Sequence, residues 1–355
     1  MKKLICLLLF ALCMQQGALF AQKQQKTDVQ TEVFTKNYKV NAKDILEVQT
    51  SFTEVVFQEW DKNEVAFTTT VTLNNATEKD MEKLLNAIKI VSNQSGKITH
   101  YKLTLSGNNL NKIGNYKITL LVEVPKDIFL NINSSFGKVD LKDAYNNFKA
   151  DIDFGNLSVR NLLGNTNAIV LNQSKLNLNQ ADQLNLKIDF SKGNLIEVGA
   201  LTLESSFSTL KIDKANQITL SSSQDKIHII NSVDKIKGDI SFGTLKINSL
   251  KYSCVLDKCS FSKITIDEMC KTFTDILISA SQSTIVLNVP RDQSFALDYS
   301  GSFTKFKNAD IRLNDATLKS EGNSVHMRGI YGKNLDSGKK IKIEANFGSV
   351  SLFEQ

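Results

Sequence analysis

A repeat constrains this chain more than any other feature. The stretch Asp239-Ile240-Ser241-Phe242-Gly243-Thr244-Leu245-Lys246-Ile247 is one copy of a unit that recurs over the second two-thirds of the sequence. Each copy reads apolar–polar–Phe, a small residue, one polar residue, then apolar–polar–apolar. The Phe position falls at Phe136, Phe154, Gln173, Phe190, Phe207, Gln224, Phe242, Phe261, Gln282, Phe303, Gly322 and Phe347, at intervals of 17 to 25 residues. A period of that length marks a fold made by stacking one small unit on the next.

Inside the unit the side chains alternate, which is the pattern of a half-buried strand, a bend, and a second strand. Strict alternation puts Ile240 and Phe242 inward with Ser241 outward, then Leu245 and Ile247 inward with Thr244 and Lys246 outward. The phenylalanines are thus expected to form an internal column. Glycine at 137, 155, 243 and 348 is expected to supply a positive φ at the bend. The Phe190 unit carries two extra residues before Ile196 and Val198, which reads as a bulge.

Two arrangements can use such a unit: a parallel β-solenoid with one copy per rung, or an antiparallel meander. The column statistics favour the solenoid. Two residues after the Phe position the chain reads Lys192, Thr209, Lys226, Thr244, Lys263, Thr284, Lys305. Alternation of lysine with threonine keeps like charges on neighbouring strands apart, where they would be destabilising. The residue before the Phe is small and polar at Ser206, Ser223, Ser241, Ser260, Ser281 and Ser302.

Two prolines, 17 glycines and an abundance of Asn, Ser, Thr, Ile and Val in 355 residues agree with β-structure. Residues 1–21 have the layout of a secretory signal peptide: Lys2 and Lys3, an apolar run from Leu4 to Leu12, and Ala18-Leu19-Phe20-Ala21 as the cleavage site. That run is too short for a transmembrane span. Leu12 before Cys13 argues against a lipid anchor. Without residues 1–21 the formal charge falls from +6 to +4, too mild to imply nucleic acid. Cys254, Cys259 and Cys270 remain. Cys259 is expected in the core, and Cys254 and Cys270 flank the Phe261 unit, where a bridge between rungs is conceivable.

The expected organisation is a signal peptide at 1–21, a disordered leader at 22–30, an N-terminal β region with one helix at 31–125, and the strand-repeat stack at 126–355. Phe52-Thr53-Glu54-Val55-Val56-Phe57 resembles a degenerate first rung. Thr77 is placed to cap a helix whose apolar face is Met81, Leu84, Leu85 and Ile88. Such a helix suits a cap over the first rung's open core and strand edges. Val124-Pro125-Lys126-Asp127 recurs as Val289-Pro290-Arg291-Asp292, each opening a sub-stack.

Catalytic signatures are sparse. His100, His228 and His326 have no metal-ligand spacing; His228 and His326 share an outward column but lie too far apart to share a metal. Asp151 and Asp153 share an outward face within reach of a cation. A β-helix polysaccharide lyase or glycoside hydrolase needs a walled cleft, and rungs of 17 to 19 residues leave no room for long loops. Only the looser 282–347 region, with Tyr299, Tyr331, Asp310, Arg312 and His326, offers one. Trp60 and Tyr101 read as half-buried cap residues. No cofactor or metal is expected. The positive feature is a basic stripe: Lys138, Lys175, Lys192, Lys226, Lys263 and Lys305 in one column, with Lys211, Lys246 and Lys307 in the next. Stacked, these lysines form a cationic strip suited to a polyanionic glycan or cell-surface component.

The Phe-Gly-x-Val/Leu-x-Leu/Ile units, with Ser51-Phe52, Val65–Ile88, Val-Pro-Lys-Asp and the terminal Asn346-Phe347-Gly348-Ser349-Val350-Ser351-Leu352, resemble an exported bacterial strand-repeat family described as putative adhesins or auto-transporter-adhesin heads. The resemblance runs from about Leu46 to Leu352. It implies an all-β, right-handed parallel β-helix-like solenoid with an N-terminal strand–helix cap, in a cell envelope, in a binding or structural role without catalysis. A polysaccharide-active enzyme and an envelope-stress signalling partner stand as alternatives.

Overall fold

A computed structural model describes residues 29–107, 115–308, 311–333 and 338–355. The expected signal peptide, most of the expected leader and of the Gly107–Gly114 loop, Asp310 and part of the 333–340 loop lie outside these residues. Val29 and Gln30, expected in the leader, already belong to the first strand.

The described residues are almost all strand. The N-terminal part runs β1 (Val29–Lys39), β2 (Ile45–Ser51), β3 (Glu54–Glu59), β4 (Glu64–Asn74), α1 (Glu78–Ala87), β5 (Ile88–Ser95), β6 (Ile98–Leu105) and β7 (Asn115–Val124). Short paired strands follow: β8 (Phe129–Ser135), β9 (Lys138–Ala144), β10 (Phe148–Asp153), β11 (Asn156–Leu162) and β12 (Asn167–Asn172). Four long bent strands come next: β13 (Lys175–Asp189), β14 (Lys192–Ser206), β15 (Thr209–Ser223) and β16 (Lys226–Ser241). The chain ends with β17 (Thr244–Ile247), β18 (Leu250–Ser260), β19 (Lys263–Ile266), β20 (Asp275–Ser281), β21 (Thr284–Val289), β22 (Phe295–Lys307), β23 (Leu313–Glu321), β24 (Ser324–Tyr331) and β25 (Lys340–Glu354).

Successive repeats pair in parallel. β13, β14, β15 and β16 run side by side, with Leu176 opposite Gly193, Gly193 opposite Leu210 and Leu210 opposite Ile227. Upward the ladder continues through Leu245, Ile264, Ile285 and Val350; downward it continues through Leu157, Val139 and Val55. Apart from Gly193, each of these is a buried aliphatic residue in one continuous core. The Phe52 segment is a full rung, pairing in parallel with β8 through β2 and with β9 through β3. The expected bulge after Phe190 is absent: Gly193 takes the inward position opposite Leu176, Leu195 sits opposite Leu178, and Ile196 faces solvent.

The C-terminal order corrects the repeat count. β25 inserts between β20–β21 and β22, so the Phe347 rung precedes the Phe303 rung in space. Gly322 is no rung at all. It is the turn of a hairpin, φ 56°, between antiparallel β23 and β24, and β24 lies antiparallel to β22. His326 therefore faces Ser300 and does not share the His228 column.

At the other end, the helix forms as read from the sequence. Thr77 Oγ1 accepts from Asp80 N–H and the Asp80 carboxylate accepts from Thr77 N–H, a reciprocal capping box; the Thr77 hydroxyl, then Lys83 Nζ and the Thr77 N–H, donate to the Asp80 carboxylate and hold it down at about 2. Met81 and Leu84 join the core, with Leu85 and Ile88 half-buried against it. Ile88, however, is the C-cap and starts β5. The first rung's edges are covered mainly by strands: β6 and β5 beyond β2, and β7, β4 and β1 beyond β3.

Among the described residues, Cys254, Cys259 and Cys270 form no bridge. Cys254 is fully buried in the core column between Ile236 and Ile276, and Cys270 lies half-buried with its Sγ 3.4 Å from Ser249 Oγ. Burial pushes both core thiols up, Cys259 to about 12 and Cys254 further still. A thiol reagent at pH 8 is expected to label Cys270 alone among these three in the folded protein, and all three after denaturation, because the thiolate is the reacting form. Labelling of Cys254 or Cys259 without unfolding would contradict this core.

Candidate functional site: an aromatic corner beside a lysine column

The recurring phenylalanines point outward. Phe52, Phe136, Phe154, Phe190, Phe207, Phe242, Phe261, Phe303 and Phe347 are between 45% and 58% exposed. The expected internal column is thus an external one. Alternation fails because the Phe residue is left-handed rather than extended, even where it falls within a strand, as Phe303 does in β22 and Phe347 in β25. All twelve corner positions, these nine plus Gln173, Gln224 and Gln282, are left-handed, with φ between 45° and 59°. One left-handed residue turns the chain through a corner, so the inward positions are the residue two before it, the residue after it, and the third and fifth after it. Around Phe242 these are Ile240, Gly243, Leu245 and Ile247; all but the half-buried Gly243 are fully buried.

The corner's N–H groups are all accounted for. Phe190 N–H donates to the Ser206 carbonyl of the next rung, and Lys192 N–H donates to the Ser174 carbonyl of the previous one. Between them, Ser191 N–H cannot join a strand ladder and donates instead to Ser208 Oγ, 3.0 Å away. Each such hydroxyl donates to the carbonyl two residues before it, as Ser208 Oγ does to Ser206 O. The chain of bonds runs Gly155 to Ser174, Ser174 to Ser191, Ser191 to Ser208 and Ser208 to Asp225, and again Gly243 to Ser262 and Ser262 to Ser283. That is why the residue after the Phe is small, and why serine is so common there. Glycine at this position serves close approach rather than positive φ: a Cβ on Gly348 would lie 2.1 Å from the Ser283 carbonyl oxygen.

In space the corner column reads Phe52, Phe136, Phe154, Gln173, Phe190, Phe207, Gln224, Phe242, Phe261, Gln282, Phe347, Phe303; from Phe52 to Gln282 each amide donates to a carbonyl of the next rung, and Phe303 N–H donates to the Asn323 carbonyl of the hairpin. Neighbouring rings stack nearly parallel, with centroids 4.7 to 5.0 Å apart and planes within 7°. At about 4.8 Å per rung the column is roughly 50 Å long. Half-exposed rings of this size each leave about 100 Å² in water. Nine make roughly 900 Å² along one edge, divided by Gln173, Gln224 and Gln282 into runs of two or three rings.

The lysines do stack beside it. One column reads Glu54, Lys138, Asn156, Lys175, Lys192, Thr209, Lys226, Thr244, Lys263, Thr284, Ser349, Lys305. Alternation with threonine is incomplete: Lys175 lies directly opposite Lys192, and Ser349 separates Thr284 from Lys305. The next column runs Lys211, His228, Lys246, Thr265, Val286, Ser351, Lys307. Two of the nine lysines are neutralised, Lys138 by Asp140 at 2.7 Å and Lys246 by Asp267 at 3.0 Å. On the opposite side of the corner the column contains Asp153, Asp189 and serines.

The catalytic candidates do not converge. Asp151 and Asp153 are neighbours on β10, and the Asp151 carboxyl is raised by burial and then by the Asp153 charge. His100 pairs with Glu47 at 2.9 Å, and His228 Nε2 lies 3.0 Å from Asn248 Oδ1. No cluster with metal-binding composition occurs among the described residues. The looser C-terminal region holds an open cleft of about 450 Å³ lined by Ser300, Lys319, Glu321, His326 and Glu344. Tyr299 and Tyr331 are absent from it, being core residues; Tyr331 donates to Glu354. Tyr101 is fully buried against Thr69, its hydroxyl pushed up to about 12 by burial, whereas Trp60 is half-buried with Nε1 on Glu64 O. No helix among the described residues is long and apolar enough to cross a membrane.

No family model and no curated protein matches the chain. Solved structures do. A putative cell adhesion protein from Clostridium sporogenes is 13% identical, covers 92% of this chain and all of its own, and superposes with a TM-score of 0.21. A putative adhesin from Parabacteroides merdae is 11% identical over 90% of this chain and 96% of its own, TM-score 0.39. A putative lipid binding protein from Parabacteroides distasonis is 13% identical over 90% and 96%, TM-score 0.27. The adhesin names match the family that the repeat resembles. With superposition scores this low, none of them carries an argument about ligand or activity.

Proposed function

We propose that this chain is an exported, non-enzymatic binding protein of the cell envelope that holds an extended polyanionic partner along its lysine face. In this reading residues 1–21 direct export, 31–125 cap the stack, and 126–355 form a right-handed parallel β-helix whose regular rungs space the charges. The observation that carries it is the register of Lys175, Lys192, Lys226, Lys263 and Lys305. All five are exposed, stand in one column, and have no ion-pair partner among the described residues. Adjacent like charges at Lys175 and Lys192 cost stability and are relieved by an anion laid across them. Repeated weak contacts of this kind add by effective concentration.

Reversing Lys192, Lys226 and Lys263 to glutamate together is expected to abolish retention of the purified protein on a heparin column at low salt. Unchanged elution would remove the proposal. A glycan array paired with a reducing-sugar release assay separates binding from turnover, and sugar release would favour a polysaccharide-active enzyme.

A further inference from the structure

We propose that the phenylalanine corner is a lipid-docking ridge, whose ring edges seat in the interfacial layer of an anionic bilayer while the lysine column beside it engages the headgroups. This rests on the envelope-binding reading above and names the class of its partner.

The backbone makes the first argument. Twelve corner residues are left-handed, a conformation that glycine and asparagine adopt most easily, yet none of the twelve is Gly or Asn; they are nine phenylalanines and three glutamines. A bulky side chain held at every strained site points to a use for the side chain itself. Part of that use is ring stacking, but stacking does not require half of each ring to remain in water.

The ring geometry then selects the partner. Within each run the rings lie face to face at 4.7 to 5.0 Å, so most faces are covered and the edges point out. Sugars stack on aromatic faces, whereas hydrocarbon needs only apolar contact, which edges supply. A corner roughly 50 Å long, in which each half-exposed ring stands between less exposed neighbours at all but Asn346, suits a soft, extended surface better than a small ligand. Lysines on one flank match anionic headgroups, and the aspartates at 153 and 189 on the other flank tilt the lysine side toward the bilayer. Apolar residues combined with a basic face are the general requirement for interfacial binding.

The test uses the purified protein and the quadruple substitution Phe190→Gln, Phe207→Gln, Phe242→Gln, Phe261→Gln. Glutamine already occupies this column at Gln173, Gln224 and Gln282, so the corner conformation is retained. Co-sedimentation with phosphatidylglycerol–phosphatidylcholine vesicles is expected for the wild type and at least about tenfold weaker for the glutamine variant, with heparin retention unchanged. The lysine-reversed protein should lose the salt-sensitive part of vesicle binding. Vesicle binding by the glutamine variant equal to wild type overturns the ridge. Heparin retention without any vesicle binding by the wild type also overturns it, and leaves the polyanion reading standing. Vesicle binding without heparin retention supports the ridge and removes the polyanion reading. A dimer that the glutamine variant dissociates, in a protein that ignores vesicles, assigns the corner to self-association and overturns the proposal.

Discussion

Leu245→Ala is expected to destabilise the protein by about 2–5 kcal/mol, and Phe242→Ala, three residues earlier in the same unit, by less than about 2 kcal/mol. The repeat's largest side chain is therefore not its anchor. Leu245 is fully buried, packed in register between Ile227 below and Ile264 above. Truncation there removes a buried side chain and leaves a cavity that a stacked β core cannot close by collapse. Phe242 is 57% exposed and has one aromatic neighbour, Phe261 at 4.8 Å, with Gln224 on its other side. Its removal forfeits one stacked contact worth about 0.5–1.5 kcal/mol and some partial burial. Denaturant midpoints of the two variants against wild type decide the matter. Equal losses would place Phe242 in the core after all. Because stacked repeats need not unfold in one step, the comparison belongs to variants of the same rung.

The contrast also explains what could be read from the sequence. The period, the parallel stacking of equivalent positions, the rung at Phe52, the helix capped by Thr77 and the lysine column all follow from spacing and alternation, which depend on local geometry. Side-chain direction at the corner does not. Period-2 parity assumes an unbroken strand, and a single left-handed residue resets it: Ile240 is inward, Phe242 outward, and Leu245 inward again. A signal was present nonetheless. Three of the twelve corner positions are glutamine, and Gln173, Gln224 and Gln282 would be poor members of a buried column. Small residues after the Phe carried a second clue, since Ser174, Ser191 and Ser208 suit a buried hydroxyl ladder better than a solvent-facing turn. The insertion of β25 between β20–β21 and β22, and the β23–β24 hairpin, were not legible because the Phe347 unit matches the pattern equally well wherever in the stack it pairs.

The hydroxyl ladder leads to the second large effect, at Asp225. Asp225→Ala is expected to cost about 3–5 kcal/mol, while Asp225→Ser should recover most of that loss. Asp225 stands between Ser208 of the rung below and Gly243 of the rung above, and it is fully buried. Its carboxylate accepts three hydrogen bonds: from Ser208 N–H at 2.7 Å, from Ser222 Oγ at 2.6 Å and from Ser223 N–H at 3.1 Å. Alanine leaves two backbone donors and a hydroxyl without partners in a dry corner, at about 1–3 kcal/mol for each that water cannot reach. Serine restores the acceptor for Ser208 N–H in the geometry that Ser208 itself provides for Ser191, and its hydroxyl can donate to the carbonyl two residues before it. Thermal or denaturant unfolding of the two variants reads the difference directly. If Ala and Ser substitutions cost the same, the serine ladder does not hold the corners together, and the left-handed phenylalanines must be secured by ring stacking alone.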